Sequence, residues 1–166
     1  MGHAAPGDPT DAPAHGGPWA RVKLPMTIVV AVLAIALARL ARIPVLATDI
    51  DPVAVEVARS NVRLNRVAAW VETATAPGFS DPVFSRRGPF DLIVVRAVGK
   101  IAEVLHGLRQ VISVGTSVVF YKTDKTESAE MAAGIRQARR LGLSPDDPFE
   151  IELPWPEGPM RRRLIR

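Results

Sequence analysis

Asp49 and Asp51 stand one residue apart, after the short apolar run 44–48 and just before Pro52. A carboxylate at the carboxyl end of a buried strand is placed to accept the two hydroxyls of a ribose, as in nucleoside-binding α/β sheets. The two acids divide the work. Asp51 precedes a proline at the first helical position, where no backbone N–H is needed, so it is read as an N-cap. Asp49 cannot cap the same turn as well and is read as the ligand acid, with a second capping role as the alternative. The same strand-end rule selects three further places: residues 30–32, Thr75-Ala76-Pro77 and Arg96-Ala97-Val98-Gly99. Asp146-Asp147 is read as turn chemistry, because it sits in Ser-Pro-Asp-Asp-Pro.

Composition removes other chemistries. The chain has no Cys, which excludes disulfides, thiolate metal sites and cysteine nucleophiles. Two of its three His, His3 and His15, lie in a polar segment, so no metal centre is expected. Net charge is +4 on 166 residues. That balance suits a ribosomal or RNA partner; an arginine-rich compositional bias is the alternative.

These residues need elements to hold them, and the chain alternates. Residues 1–20 hold four Gly and four Pro without an apolar period, and are expected to be a disordered tail before one domain over 21–166. Residues 24–38 are almost wholly apolar, but Pro25 interrupts their start and Arg39 follows. About 20 apolar residues are needed to span a bilayer, so a buried strand and the start of a helix are expected there, with no membrane span. Strands are then predicted over 44–48, 69–73, 90–95 and 117–121, and helices over 53–65, 100–111 and 126–141, the last ending at Gly142. Residues 74–89 read as a loop. A closing antiparallel pair is expected over 149–153 and 161–165, joined by a turn at 154–159. Strands alternating with helices imply an α/β fold with a mostly parallel sheet, covered on both faces, and an antiparallel hairpin at its end.

Residues 32–38 and 45–55, then Ala58 to Asn65, 74–79 and Pro89-Phe90-Asp91-Leu92-Ile93-Val94, resemble a class I S-adenosylmethionine-dependent methyltransferase. The likeness covers roughly 32–95 and is greatest to the PrmA-type ribosomal protein methyltransferases. It implies a Rossmann-like fold, S-adenosylmethionine as cofactor, and a cofactor site that includes Asp49, Ile50, Thr75, Ala76 and Arg96. In that implied site Asp49 binds the ribose, Ile50 packs on the adenine, and Thr75-Ala76 lies near the adenine amine. From Phe90 onward the chain also resembles the GidB/RsmG-type methyltransferases of ribosomal RNA, through Arg96-Ala97, Lys122 and the closing Arg162-Arg163-Leu164-Ile165. A surface ion pair is the alternative for Arg96, an ordinary strand-end charge for Lys122, and a solvated edge strand for Arg161–Arg163.

One departure is specific. The family's Asp-x-Gly-x-Gly-x-Gly loop is replaced by Met26-Thr27-Ile28-Val29-Val30-Ala31, and no glycine occurs between Gly17 and Gly78. Those glycines permit a tight turn and close backbone approach to the cofactor. The expected function is methyl transfer to a ribosomal protein in the cytoplasm. The alternatives are guanine-N7 methylation of ribosomal RNA, and a degenerate domain that binds cofactor poorly.

Overall fold

A computed structural model describes residues 27–96, 98–123, 125–153 and 160–166. The expected tail at 1–20 and the turn at 154–159 lie outside the described residues. The elements run α1 (Thr27–Ala41), β1 (Val45–Asp49), α2 (Pro52–Leu64), β2 (Val71–Thr75), α3 (Pro82–Arg87), β3 (Leu92–Arg96), α4 (Ile101–Leu108), β4 (Ser117–Thr123), α5 (Ser128–Arg140), β5 (Phe149–Leu153) and β6 (Met160–Ile165).

The expected alternation is present, with two corrections. Among the described residues no strand precedes a turn near residues 30–32, because α1 is already helical from Thr27 and continues unbroken to Ala41. A stretch rich in Ala and Leu, without Gly or Pro, has nothing to end a helix. The expected loop 74–89 also contains α3, started by Asp81, whose carboxylate accepts the Val83 N–H at 2.8 Å, with Pro82 next. That is the same Asp-Pro start signal as at α2.

The strands do not form one sheet. β1 pairs in parallel with β2, and β3 pairs in parallel with β4, which continues antiparallel to β6 and then β5. Neither β1 nor β3 has a strand on its other edge among the described residues.

The core divides in the same way. Around β1, the face Ala31, Ala34, Ile35 and Ala38 of α1 meets Ala47, Ala58, Val62 and Val71. These are helical spacings, and small side chains let α1 lie close to α2. Around β3 and β4, Val95, Val118, Phe120 and Ile165 pack under Ile101, Val104, Leu105 and Leu108 of α4 and Ala138 of α5. Gly142, with φ +76°, ends α5 where a left-handed residue is needed. No helix among the described residues is long and apolar enough to cross a membrane.

Candidate cofactor site

The carboxyl ends of β1 and β2 come together in register, Asp49 opposite Thr75. The Ala76 N–H donates to the Asp49 carbonyl oxygen at 2.9 Å, so the two strand ends are tied one residue beyond the ladder. Asp51 is the N-cap of α2: its Oδ1 accepts the Val53 N–H at 2.9 Å, and Pro52 occupies the first turn. Asp49 uses one carboxylate oxygen locally, Oδ1 accepting the Asp51 N–H at 3.0 Å. Its other oxygen has no hydrogen-bond partner among the described residues. Asp49 is half-buried and Ile50 is 68% exposed, so an acid and an apolar side chain are presented side by side at the strand end. Thr75 is exposed and Ala76 buried. Four of the five predicted site residues are therefore gathered at one edge.

Arg96 is not among them. It ends β3, in the other sheet, where it stacks over the Tyr121 ring at 5.0 Å. Burial pulls its guanidinium below its ordinary pKa, the neighbouring Tyr121 opposes this, and Arg162 adds to it by repulsion. The expected surface ion pair is not formed with any described carboxylate. The tail arginines behave differently. Arg161 reaches Glu152 at 3.2 Å, Arg163 reaches Glu150 at 2.6 Å and Arg166 reaches Asp146 at 2.8 Å, whereas Arg162 pairs with no carboxylate among the described residues.

Lys122 is not an ordinary strand-end charge. Its ammonium donates to the Gly99 carbonyl and pairs with Glu130 Oε1, each at 2.8 Å, with both side chains mostly covered. The same Glu130 oxygen accepts the Ile101 N–H at 3.2 Å. One buried-edge pair thus ties the β3–α4 loop to α5. Sequence gave no sign of this, because Lys122 and Glu130 meet only once β4 and α5 are packed. The Lys122 hydrogen bond, foremost, holds the Glu130 carboxyl below its ordinary value of 4.5, with burial opposing. A depressed folded pKa contributes stability above the unfolded pKa and loses it as pH falls through the folded value. Lys122→Met is expected to cost about 2 kcal/mol at neutral pH. It should also flatten the loss of stability below pH about 4.5. Urea melts at pH 7 and in acid check both, and an unchanged acid slope would contradict this role.

A cavity of about 150 Å³ lined by Leu105, Met131 and Leu143 lies between α4, α5 and the segment after α5. Its lining does not include Asp49 or its neighbours, and we read it as a packing gap in the second core.

The family described as "Ribosomal protein L11 methyltransferase (PrmA)" matches residues 30–119. The ribosomal protein L11 methyltransferase of Chelativorans sp. is 74% identical over 70 residues, 42% of this chain and 24% of that protein. The one from Mesorhizobium japonicum is 49% identical over 117 residues, 67% of this chain and 40% of that protein. The chain therefore spans less than half the length of these curated relatives. Among solved structures, the precorrin-6y C5,15-methyltransferase of Geobacter metallireducens superposes with a TM-score of 0.61 at 12% identity, covering 82% of this chain and 72% of that one. A methyltransferase from Pyrococcus furiosus does so with a TM-score of 0.61 at 22% identity, covering 81% and 68%. Together with the parallel strand pairs, these likenesses give the fold as Rossmann-like, of the class I methyltransferase kind. By the match over 30–119, more than half of its length, the chain belongs to the PrmA family.

Proposed function

We propose that this chain carries the nucleoside-binding half of an S-adenosylmethionine-dependent methyltransferase whose substrate is a ribosomal protein, in the cytoplasm. The observation that carries the reading is Asp49: a half-buried carboxylate at a strand end, with one oxygen held by the Asp51 N–H and one left for a ligand. Membership of the ribosomal protein L11 methyltransferase family supports methylation of a ribosomal protein.

The residues fit half of the cofactor. Asp49 suits the ribose hydroxyls, Ile50 the face of the adenine, and the Thr75-Ala76 corner its amine edge. The amino-acid half has no counterpart, because the positions aligned with the glycine turn hold Thr27-Ile28-Val29-Val30-Ala31, the first residues of α1. Each carries a Cβ where glycine would allow a tight turn and close approach of the backbone to the cofactor. That observation favours a second reading, a methyltransferase-like domain without catalysis of its own. Methylation of ribosomal RNA is the third; its marker Lys122 is occupied by Glu130 and Gly99.

The test compares ligands that differ only in the missing half. By saturation-transfer NMR, 5′-methylthioadenosine and S-adenosylmethionine should bind with equal, weak affinity, and Asp49→Ala should remove both. An affinity for S-adenosylmethionine tenfold above that for methylthioadenosine would refute the half-site reading. Binding insensitive to Asp49→Ala would refute the role of Asp49.

A further inference from the structure

The four-stranded sheet has two faces of very different character. Side chains alternate along a strand, so in-register partners share a face. Val95, Val118, Phe120 and Ile165 are buried on the face covered by α4 and α5. On the opposite face stand Val94, Val119, Tyr121, Leu164, Ile151 and Phe149, and none of them is buried. Phe149 is 63% exposed. Parallel strands such as β3 and β4 are ordinarily covered on both sides, so this face lacks its second layer among the described residues.

Charge identifies what would cover it. The half-buried cations among the described residues are Arg59, Arg96, Lys122, Arg162 and Arg163. Arg59, Lys122 and Arg163 each hold a carboxylate. Arg96 and Arg162 hold none among the described residues, and both belong to the uncovered face, by the registers Arg96 with Tyr121 and Thr123 with Arg162. β4 lies between β3 and β6, which sets these two arginines on the order of 10 Å apart. Two turns of helix span about the same distance.

We propose that this uncovered face docks an amphipathic helix of another polypeptide, apolar along one stripe and carrying carboxylates about two turns apart that pair with Arg96 and Arg162. The first 26 residues are a poor occupant, because their Gly and Pro content opposes a helix. A second copy of the chain would set arginine against arginine across a two-fold axis. Nucleic acid would leave the aliphatic centre of the face against phosphates.

The probe is a synthetic 18-residue helix with a leucine stripe and glutamates two turns apart, labelled for fluorescence anisotropy with the full chain. Binding in the micromolar range is expected at low salt. The double variant Arg96→Glu, Arg162→Glu should weaken it at least tenfold, and Arg162→Glu alone several-fold. The single variant serves if the double fails to retain the circular dichroism of the parent. The same peptide with lysine for glutamate should not bind. Equal binding of the two peptides, or none of the glutamate peptide, would overturn the proposal. So would an oligouridylate that binds this face and is lost in Arg162→Glu. Sedimentation showing a dimer that Phe149→Arg dissociates would assign the face to a second copy and overturn it as well.

Discussion

Calorimetric titration of S-adenosylmethionine into this chain is expected to give no saturable heat below about the millimolar range. Placing an apolar strand and an Asp-x-Gly-x-Gly-x-Gly turn directly before Val32 should tighten binding by about a hundredfold or more. Two structural facts carry this. β1 and β3 each pair on one side only, so the position between them holds no described strand. The first residues of α1, from Thr27, also carry a Cβ at every position where the turn's glycines would let the backbone close on the cofactor. Free amides at a helix N-terminus are a strong feature for an anionic group, since they are unpaired donors aligned with the helix dipole. A hundredfold is about 2.7 kcal/mol, the scale of one or two hydrogen bonds to a charged group. A low-micromolar affinity in the unaltered chain would refute this account. So would an insertion that folds, by circular dichroism, and binds no better.

Part of this was readable from residue types. Asp51-Pro52 announced α2, and Asp49, left over from capping, was marked as the ligand acid; the structure gives both acids a local bond and leaves one Asp49 oxygen over. Asp81-Pro82 carried the same start signal for α3, but the surrounding Gly, Pro and Ser masked it. Residues 24–38 misled for a physical reason. A continuous apolar run is equally suited to a buried strand and a buried helix, and periodicity cannot separate them. The break between β1 and β3 was not readable either, since alternation of strands and helices says nothing about which strands touch. The surroundings of Arg96 were hidden by the same route. Its place at a strand end was foreseen, but its neighbours, Tyr121 and Arg162, come from pairings across the sheet. Strand pairing is long-range, and local pattern specifies only the pieces.

Gly134→Val is expected to destabilise the chain by about 3 kcal/mol, near the upper end of overpacking effects. At this chain length that is a fall in melting temperature of roughly 10 °C. Gly134 lies buried in α5 against α4, and an added Cβ would stand 2.6 Å from Ile101 Cγ2 and 3.0 Å from Ile101 Cβ. Ile101 is itself 3% exposed and opens α4, and the cavity between α4 and α5 that it lines together with Gly134 is the room it has to give way. Glycine inside a helix ordinarily costs about 1 kcal/mol relative to alanine, so helix propensity alone would make Gly134→Ala stabilising. Here close approach reverses the sign. The double-mutant cycle separates the two effects. On an Ile101→Ala background Cγ2 and Cδ1 are gone and only the Cβ at 3.0 Å remains, so Gly134→Val should cost clearly less, with a coupling on the order of 1–2 kcal/mol between the two sites. Thermal melts of the four proteins decide it, and equal losses in both backgrounds would show that the glycine is kept for backbone freedom and not for contact. The same contact bears on the site end of the fold. Ile101 follows Lys100 and the Gly99 corner that Lys122 holds, so pushing α4 away from α5 also strains the Lys122–Glu130 pair. Gly134→Val should therefore flatten the acid dependence set by Glu130, an effect that a purely local loss of helix stability would not produce.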